Sequence, residues 1–187
     1  LLKNRLPPAL FFVKNEWRFL LYGFLMSLWS SPGQTFFISL FSFQIRDELS
    51  LTHGEFGTLY AIATTLSAIV LLWIGKLADS QSVHRLSILT LSALSVSSLF
   101  FSLIDSIILL LIGLFSLRLS GQGMMYHVYS TAITRRYSAT RGKALAICGF
   151  GMNIAEAIFP VLIIFLLGLV DWRMIWIIIS LVAFFSF

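Results

Sequence analysis

Two ionised side chains lie near the middle of long apolar segments of this chain. Arg118 lies within the apolar segment 107–133, and Glu156 lies within the apolar segment 144–170. A charged group in hydrocarbon loses its hydration, so it needs water, a ligand or a partner. Arg118 can bind an anionic carboxylate or phosphate through two parallel hydrogen bonds, and Glu156 can carry a proton. The two residues can equally form a permanent ion pair that holds two helices together.

Further polar side chains accompany these charges within the apolar segments. Gln34 and Gln122 can orient a polar solute, or they can join neighbouring helices by hydrogen bonds. Asn153 lies three residues before Glu156 on the same helix and can support its carboxylate. His127 can relay a proton, or it can make a single hydrogen bond to another helix.

Arg118 shares one stripe of its helix with other candidate residues. At about 100° per residue, this stripe continues through Gln122, Met125 and Tyr129. The opposite stripe contains Ser120, Gly123, His127 and Thr134. A guanidinium facing lipid costs at least about 2.5 kcal/mol on insertion scales. We therefore expect the arginine stripe to face a polar cavity and the other stripe to face a helix.

The composition predicts an integral membrane protein. Of the 187 residues, 58% are hydrophobic and 11% are charged, against roughly 25% charged residues in a soluble domain. The net charge of +5 comes from basic residues in short gaps between apolar segments, which argues against nucleic-acid binding. Cys148 is the only cysteine, so it can form no intrachain disulfide, and we expect it to serve packing.

Six apolar segments predict an all-α fold that crosses the membrane repeatedly. A helix needs about 20 residues to cross the hydrocarbon core. The predicted helices cover residues 19–43, 56–74, 86–104, 107–133, 144–170 and 172–187. Because the sixth is short and the chain starts at Leu1, we expect the amino-terminal bundle of a longer protein, with a truncated sixth helix and a missing carboxy-terminal bundle. Thr52 and Glu55 form a capping box, and Asp105 and Asp171 can cap the fourth and sixth helices.

Basic residues in the gaps predict the orientation. Cytoplasmic loops hold an excess of Lys and Arg, and one side collects almost all of them here. These residues are Lys3, Arg5, Lys14, Arg18, Lys76, Arg85, Arg135, Arg136, Arg141 and Lys143. Only Arg46 and Arg173 fall on the other side. We expect a cytoplasmic amino terminus in the cell (inner) membrane.

The first and fourth segments carry matching interruptions. Pro32-Gly33-Gln34 interrupts the first and Gly121-Gln122-Gly123 the fourth, and both glutamines lie 15 residues after the start of their segment. Interruptions at matching positions are the sequence mark of inverted repeats in transporters. The alternative is that glycine is simply frequent in membrane helices. The match favours two inverted three-helix repeats.

Three motifs resemble the major facilitator superfamily, in its amino-terminal six-helix half. Gly75-Lys76-Leu77-Ala78-Asp79, followed by Arg85, is similar to the Gly-x-Leu-x-Asp signature of the loop between its second and third helices. Arg118-Leu119-Ser120-Gly121-Gln122-Gly123 resembles its fourth-helix arginine with paired glycines. Arg141-Gly142-Lys143-Ala144-Leu145 resembles the basic loop before its fifth helix. The resemblance extends over nearly the whole chain.

The resemblance implies a secondary carrier that moves a small solute by alternating access. Helices one, two, four and five would line the cavity, and helices three and six would face lipid. Gly75, Asp79 and Arg85 would form part of a cytoplasmic gate, although Asp79 can also simply cap a helix. Binding by Arg118 would favour a small organic anion, with Gln34, Gln122, Tyr129, Asn153 and Glu156 as further site residues.

Other functions fit the sequence less well. An intramembrane serine protease needs a Gly-x-Ser-Gly motif, which is absent around Ser120, so we predict no enzyme activity. The histidines do not cluster, so we predict no metal site, and we expect no cofactor. The expected partners are the solute, the lipid bilayer, a coupling proton or ion and the missing half of the chain. The alternative is a complete six-helix protein that works as a homodimeric transporter or channel.

Overall fold

A computed structural model describes residues 8–76 and 81–186 of the chain. Every regular element in these ranges is helical, which confirms the predicted all-α class. The elements are α1 (Pro8–Trp29), a 3-10 turn (Ser31–Gly33), α2 (Thr35–Ser39), α3 (Ser42–Glu48), α4 (His53–Ile74), α5 (Val83–Phe101), α6 (Ile107–Leu117), a π-helical segment (Arg118–Met125), α7 (Tyr126–Arg136), α8 (Arg141–Leu167) and α9 (Trp172–Phe184).

Within the described ranges, four helical stretches are long and apolar enough to cross a membrane. They are α4, α5, the continuous run Ile107–Arg136 and α8. The run Ile107–Arg136 joins α6, the π segment and α7 without a break. The shorter apolar helix α9 follows in the position of the sixth predicted helix.

The first predicted span differs from a single helix. Helix α1 ends at Trp29, and Gln34 is extended (φ −89°, ψ 154°) before α2 begins at Thr35. The physical reason is Pro32, which has no N–H to donate and whose ring collides with the preceding helical turn. The 3-10 turn Ser31–Gly33 and the extended Gln34 together are called the break below.

Glycines allow α1 and α8 to pack closely. A Cβ added to Gly151 would collide with the Phe24 carbonyl oxygen, and one added to Gly23 would collide with Cys148 Sγ. Cys148 is fully buried, and its thiol donates to the Leu20 carbonyl at 3.5 Å. Small residues at such contacts are how membrane helices gain van der Waals packing.

Aromatic rings hold the segment that follows the break. Trp176 of α9 is fully buried, with its ring centroid 5.6 Å from that of Phe37 and 5.0 Å from that of Phe41. Phe101 at the end of α5 lies 4.7 Å from the same indole. The short helix α2 is therefore anchored by packing against α9, whose indole also contacts α5.

Serine hydroxyls and an arginine join α5 to α9. Ser95 Oγ donates to the Ser180 carbonyl at 2.9 Å, and Ser180 Oγ donates to the Ser95 carbonyl at 2.8 Å. Near the start of α9, Arg173 pairs with Glu48 of α3 and donates to the carbonyls of Ser102 at 2.7 Å and Ile104 at 2.6 Å. Arg173 thus ties α3, the end of α5 and α9 together.

Helix starts follow the predicted caps at two of three positions. The Thr52 N–H donates to Glu55 Oε2 at 2.8 Å and the Glu55 N–H donates to Thr52 Oγ1 at 3.2 Å, which confirms the capping box. Asp171 accepts from the Arg173 N–H at 2.8 Å at the start of α9. At the start of α6, Ser106 rather than Asp105 is the cap, and it accepts from the Leu109 N–H.

At the opposite end of the bundle, Glu16 joins α1 to α7. Its carboxylate accepts from the Tyr137 hydroxyl at 2.7 Å and from Arg136 at 2.8 and 3.0 Å. Glu16 precedes the first apolar segment by three residues, so this contact lies outside the apolar part of the chain. The hydrogen bonds from Tyr137 and Arg136 hold the pKa of the Glu16 carboxyl below its usual value of 4.5.

We expect Glu16→Gln to lower the thermal stability of the purified protein at pH 7. A carboxylate with a lowered pKa stabilises the folded state above its unfolded-state pKa, and this contribution disappears as the pH falls through the folded-state pKa. The difference in melting temperature between wild type and variant should therefore shrink below about pH 4.5. Asp105→Asn, which removes an exposed carboxylate elsewhere, is the control. An equal difference at pH 7 and pH 4 would contradict the interpretation.

Candidate functional site

The break lies directly against the π segment. A Cβ added to Gly33 would lie 2.6 Å from the Gln122 backbone nitrogen and 2.8 Å from Gly121 Cα. A Cβ added to Gly121 would lie 2.7 Å from Gly33 Cα. The two interruptions that mark the first and fourth segments in the sequence therefore touch each other, backbone to backbone.

The π segment gives the fourth span a wide turn at this contact. It extends from Arg118 to Met125 and includes both glycines of the Gly121-Gln122-Gly123 motif. Glycine lowers helix propensity and lacks the side chain that would fill the crossing point. Wide π turns inside α-helices occur frequently at functional sites.

Arg118 begins the π segment and points its guanidinium at the break. Its side chain is 5% exposed. Nη1 donates to the Gly33 carbonyl at 3.1 Å and to Thr35 Oγ1 at 3.3 Å. The buried charge is thus held by polar atoms of the first span, immediately before and after Gln34.

Tyr60 of α4 completes the surroundings of Arg118. Its ring centroid lies 5.2 Å from Arg118 Cζ, which is the distance of a cation–π contact. Its hydroxyl donates to Thr35 Oγ1 at 2.8 Å. Three spans therefore meet at this guanidinium: the broken first span, α4 and the fourth span.

One donor of the Arg118 guanidinium is unused. Nε is buried and has no hydrogen-bond partner among the residues that the structure describes. Buried donors are nearly always satisfied, so an orphan one indicates a missing water, ion or ligand. Together with Nη2, Nε forms the side of the guanidinium that binds carboxylates by two parallel hydrogen bonds.

Glu156 is not the partner of Arg118. The guanidinium contacts Gly33, Thr35 and Tyr60, whereas Glu156 is exposed on α8. The permanent Arg118–Glu156 pair is therefore not formed in this structure. The guanidinium instead bonds to the first span, which also packs against α8.

Glu156 nevertheless lies at the depth of the break. On one side of it along α8, Met152 Sδ accepts from Ser30 Oγ at 3.7 Å. On the other side, the ring of Phe159 lies 5.6 Å from that of Phe37. Glu156 falls between these two contacts, so its exposed carboxylate is level with the break.

Helix α8 has a polar and an apolar part on its exposed side. The polar part contains Asn153 and Glu156. At about 100° per residue, these two residues, Gly149 and Pro160 all fall within an arc of about 60° around the helix axis. The apolar part continues around the helix through Phe150, Ile154, Ile158, Val161 and Phe165. The polar part is suited to polar surroundings and the apolar part to apolar surroundings.

The two glutamines lie at the contact between the break and the π segment. Gln34 is half-buried, and its Nε2 donates to Ser30 Oγ at 3.5 Å. Gln122 is also half-buried, and its backbone lies against Gly33. Gln34 lies between the two residues that accept from Arg118, and Gln122 lies in the π segment that Arg118 begins, so their role in a solute site stays a prediction.

The arginine stripe does not face an open cavity along its whole length. Met125 is fully buried and Tyr129 is 3% exposed. Tyr129 neighbours Ser27 of α1 and packs edge-on against Tyr126, with ring centroids 5.2 Å apart. At Tyr129 the stripe packs against the first span in this structure, and the π segment changes the angular register of the residues that follow it.

The gate residues are only partly described. Gly75 is buried, and its carbonyl accepts from His127 Nε2 at 2.9 Å. His127 therefore forms an interhelical hydrogen bond. Arg85 is exposed, and its backbone N–H donates to Ser82 Oγ at 3.4 Å. Asp79 lies outside the described residues.

The sequence interpretation missed Thr35 and Tyr60. Tyr60 is one aromatic residue among many in apolar segments, and only its spatial position beside a guanidinium distinguishes it. Thr35 did carry a signal, because it is a hydroxyl directly after the Pro32-Gly33-Gln34 interruption.

We expect Gly33→Ala to reduce stability by about 1–3 kcal/mol and to displace the break from the π segment, because its methyl group has no space beside Gly121 and Gln122. Thermal unfolding in detergent measures the loss. Gly57→Ala is the matched control, since a Cβ at Gly57 meets no atom within 4 Å. Equal melting temperatures for the two variants would show that the backbone contact is looser than described.

The chain matches one known family. The family model of the Major Facilitator Superfamily matches residues 7–187. No curated protein and no solved structure matches the chain at a significant level. The family match extends over nearly the whole chain and includes all three motifs that resemble this family. The chain belongs to the major facilitator superfamily.

Proposed function

We propose that this chain forms one bundle of a secondary carrier that moves a small solute by alternating access, with the solute site beside the break. Members of its family are transporters of small solutes and are not enzymes. In the proposed arrangement the amino terminus is cytoplasmic, the membrane is the cell (inner) membrane, and a second bundle rocks against this one around a site at mid-depth.

The observation that carries the proposal is an exposed polar patch at the depth of the break. Gln34 and Thr35 of the first span and Asn153 and Glu156 of α8 are at least partly exposed at this depth, although they lie within or beside long apolar segments; these four residues are called the polar patch. An ionisable side chain at such depth normally faces water or protein rather than lipid. The patch is therefore suited to line a water-filled path.

The exposure of α4 and α8 supports the same orientation. Only 11% of the most apolar window of α4 and 17% of that of α8 are buried, compared with 44% for α5. Two spans with so much free surface can line a cavity and contact a second bundle. On α8, the polar part with Glu156 would face that cavity and the apolar part with Phe150 would face lipid.

The guanidinium of Arg118 favours an anionic solute. Its Nη1 is engaged by the protein, whereas its Nε is a buried donor without a partner. A carboxylate is the small group that matches the Nε–Nη2 edge, and a bond between charged partners in a dry site is stronger than one in water. We therefore assign the solute to small organic anions, with Gln34 and Gln122 beside the anion.

The proposed gate is at the cytoplasmic end of the bundle. Gly75, Asp79 and Arg85 belong to the family-like motif between the second and third spans. His127 connects Gly75 to the fourth span two residues beyond the π segment. A movement of the π segment can thus be transmitted to this loop.

We expect Arg118→Ala to reduce uptake of small carboxylates to background in cells that express the full-length protein. The test uses labelled acetate, lactate and succinate, with the corresponding amides as neutral counterparts. Arg118→Lys keeps the charge and a donor for the Gly33 carbonyl but loses the pair of parallel N–H donors, so this variant should fold normally and still fail to transport. Lys14→Ala, which removes an exposed charge, is the control. Normal uptake by Arg118→Lys at equal protein level would remove Arg118 from the site.

We expect Glu156→Gln to abolish accumulation driven by a proton gradient while preserving exchange of solute at equilibrium. The amide has the shape of the carboxylic acid but cannot bind and release a proton. Uptake into proteoliposomes with and without an imposed pH difference measures the two activities. Gradient-driven accumulation by the variant at the wild-type level would exclude Glu156 as the coupling group.

A further inference from the structure

We infer that Thr35 is a direct contact of the anionic solute and that Tyr60 is the residue that positions it, an inference that rests on the proposed function. Neither residue belongs to the motifs that identify the family. Both converge on Arg118 from different spans, and each contributes a hydroxyl group at the depth of the break.

The hydrogen bonds around Thr35 leave its proton unused. Thr35 Oγ1 accepts from the Tyr60 hydroxyl at 2.8 Å and from Arg118 Nη1 at 3.3 Å. A threonine hydroxyl has two acceptor lone pairs and one proton, so these two bonds fill its accepting capacity. No acceptor for the remaining proton occurs in the described part of the chain, where Thr35 is exposed.

The free proton of Thr35 and the free Nε of Arg118 belong to one small site. Arg118 Nη1 donates to Thr35 Oγ1 at 3.3 Å, so the two unused donors belong to side chains that are directly hydrogen-bonded to each other. An anion with two or more oxygens can accept from both. A carboxylate or a phosphate meets this requirement, whereas a neutral amide offers only one good acceptor.

Tyr60 determines which way the donors point. Its hydroxyl donates to Thr35, so it forces the Thr35 proton to point elsewhere. Its ring face lies 5.2 Å from Arg118 Cζ and restrains the plane of the guanidinium. The residue therefore acts through its neighbours rather than by touching the solute.

The site also gives α4 a role in recognition. Tyr60 is half-buried near the start of α4, and Thr35 begins α2 directly after the break. Movement of α4 relative to the break would separate Tyr60 from Thr35. The Thr35 hydroxyl and the Arg118 guanidinium would then no longer be held in their orientations. Binding of the anion and the relative position of two spans are linked by a single hydrogen bond.

The test compares Thr35→Val with Thr35→Ser in uptake assays on the full-length protein. The probe is whichever of acetate, lactate, succinate and inorganic phosphate the wild type takes up fastest. Valine has the shape of threonine without the hydroxyl, whereas serine retains it. A lost hydrogen bond to a charged ligand predicts a KM raised roughly 10- to 100-fold for Thr35→Val, and a KM near that of wild type for Thr35→Ser.

Tyr60→Phe and Tyr60→Leu separate the two contributions of the tyrosine. Phenylalanine keeps the ring over Arg118 but cannot orient Thr35, so KM should rise with little change in maximal rate. Leucine removes both, and a larger rise is expected. Thr65→Val is the control on the same helix, because the Thr65 hydroxyl donates to the Ala61 carbonyl at 2.9 Å and is about 140° around α4 from Tyr60.

The outcomes distinguish this inference from the proposed function. Uptake by wild type with equal KM for wild type, Thr35→Val and Thr35→Ser would overturn the inference and leave the transport function standing. Equal rises in KM for the valine and serine variants would also overturn it, since the hydroxyl would then not be the relevant group. Absence of wild-type uptake of every probe would remove the anion function and the inference with it.

Discussion

The contact between Gly33 and Gly121 is the constraint on which the site depends. Because neither residue has a side chain, the broken first span can lie against the π segment of the fourth span, and the Gly33 carbonyl comes within reach of Arg118. The guanidinium is then buried with a protein acceptor on one side and an unused Nε on the other. Burial of a charge is tolerable only with such partners, so the backbone contact and the arginine support each other.

The rest of the bundle holds this centre from both ends. Glu16 ties α1 to α7 on the side that collects the basic residues, and Arg173 ties α3, α5 and α9 on the other. Between them, Trp176 packs against Phe37 and fixes the short helix that follows the break. The polar groups of the site are therefore supported by contacts outside it, while α4 and α8 keep large free surfaces.

The sequence was sufficient for the fold class and the family, because hydropathy and the family motifs are local properties of the chain. It could not predict the partners of Arg118. A charged side chain in an apolar segment needs a polar partner. From the sequence alone, an acidic side chain such as Glu156 and a backbone carbonyl such as that of Gly33 are equally suitable partners. The π segment was likewise hidden, since a constant 100° per residue places Tyr129 on the arginine stripe, whereas a wide turn shifts the residues after it.

The glycine contact also restricts how this protein can vary. In most packed pairs, an enlarged side chain on one helix can be accommodated by a smaller one on its neighbour. At Gly33 and Gly121 no smaller residue exists, and each occupies the space that the other's Cβ would need. A substitution at one position therefore cannot be compensated at the other. The identity of two residues 88 positions apart in the chain is fixed because their Cβ atoms would need the same space.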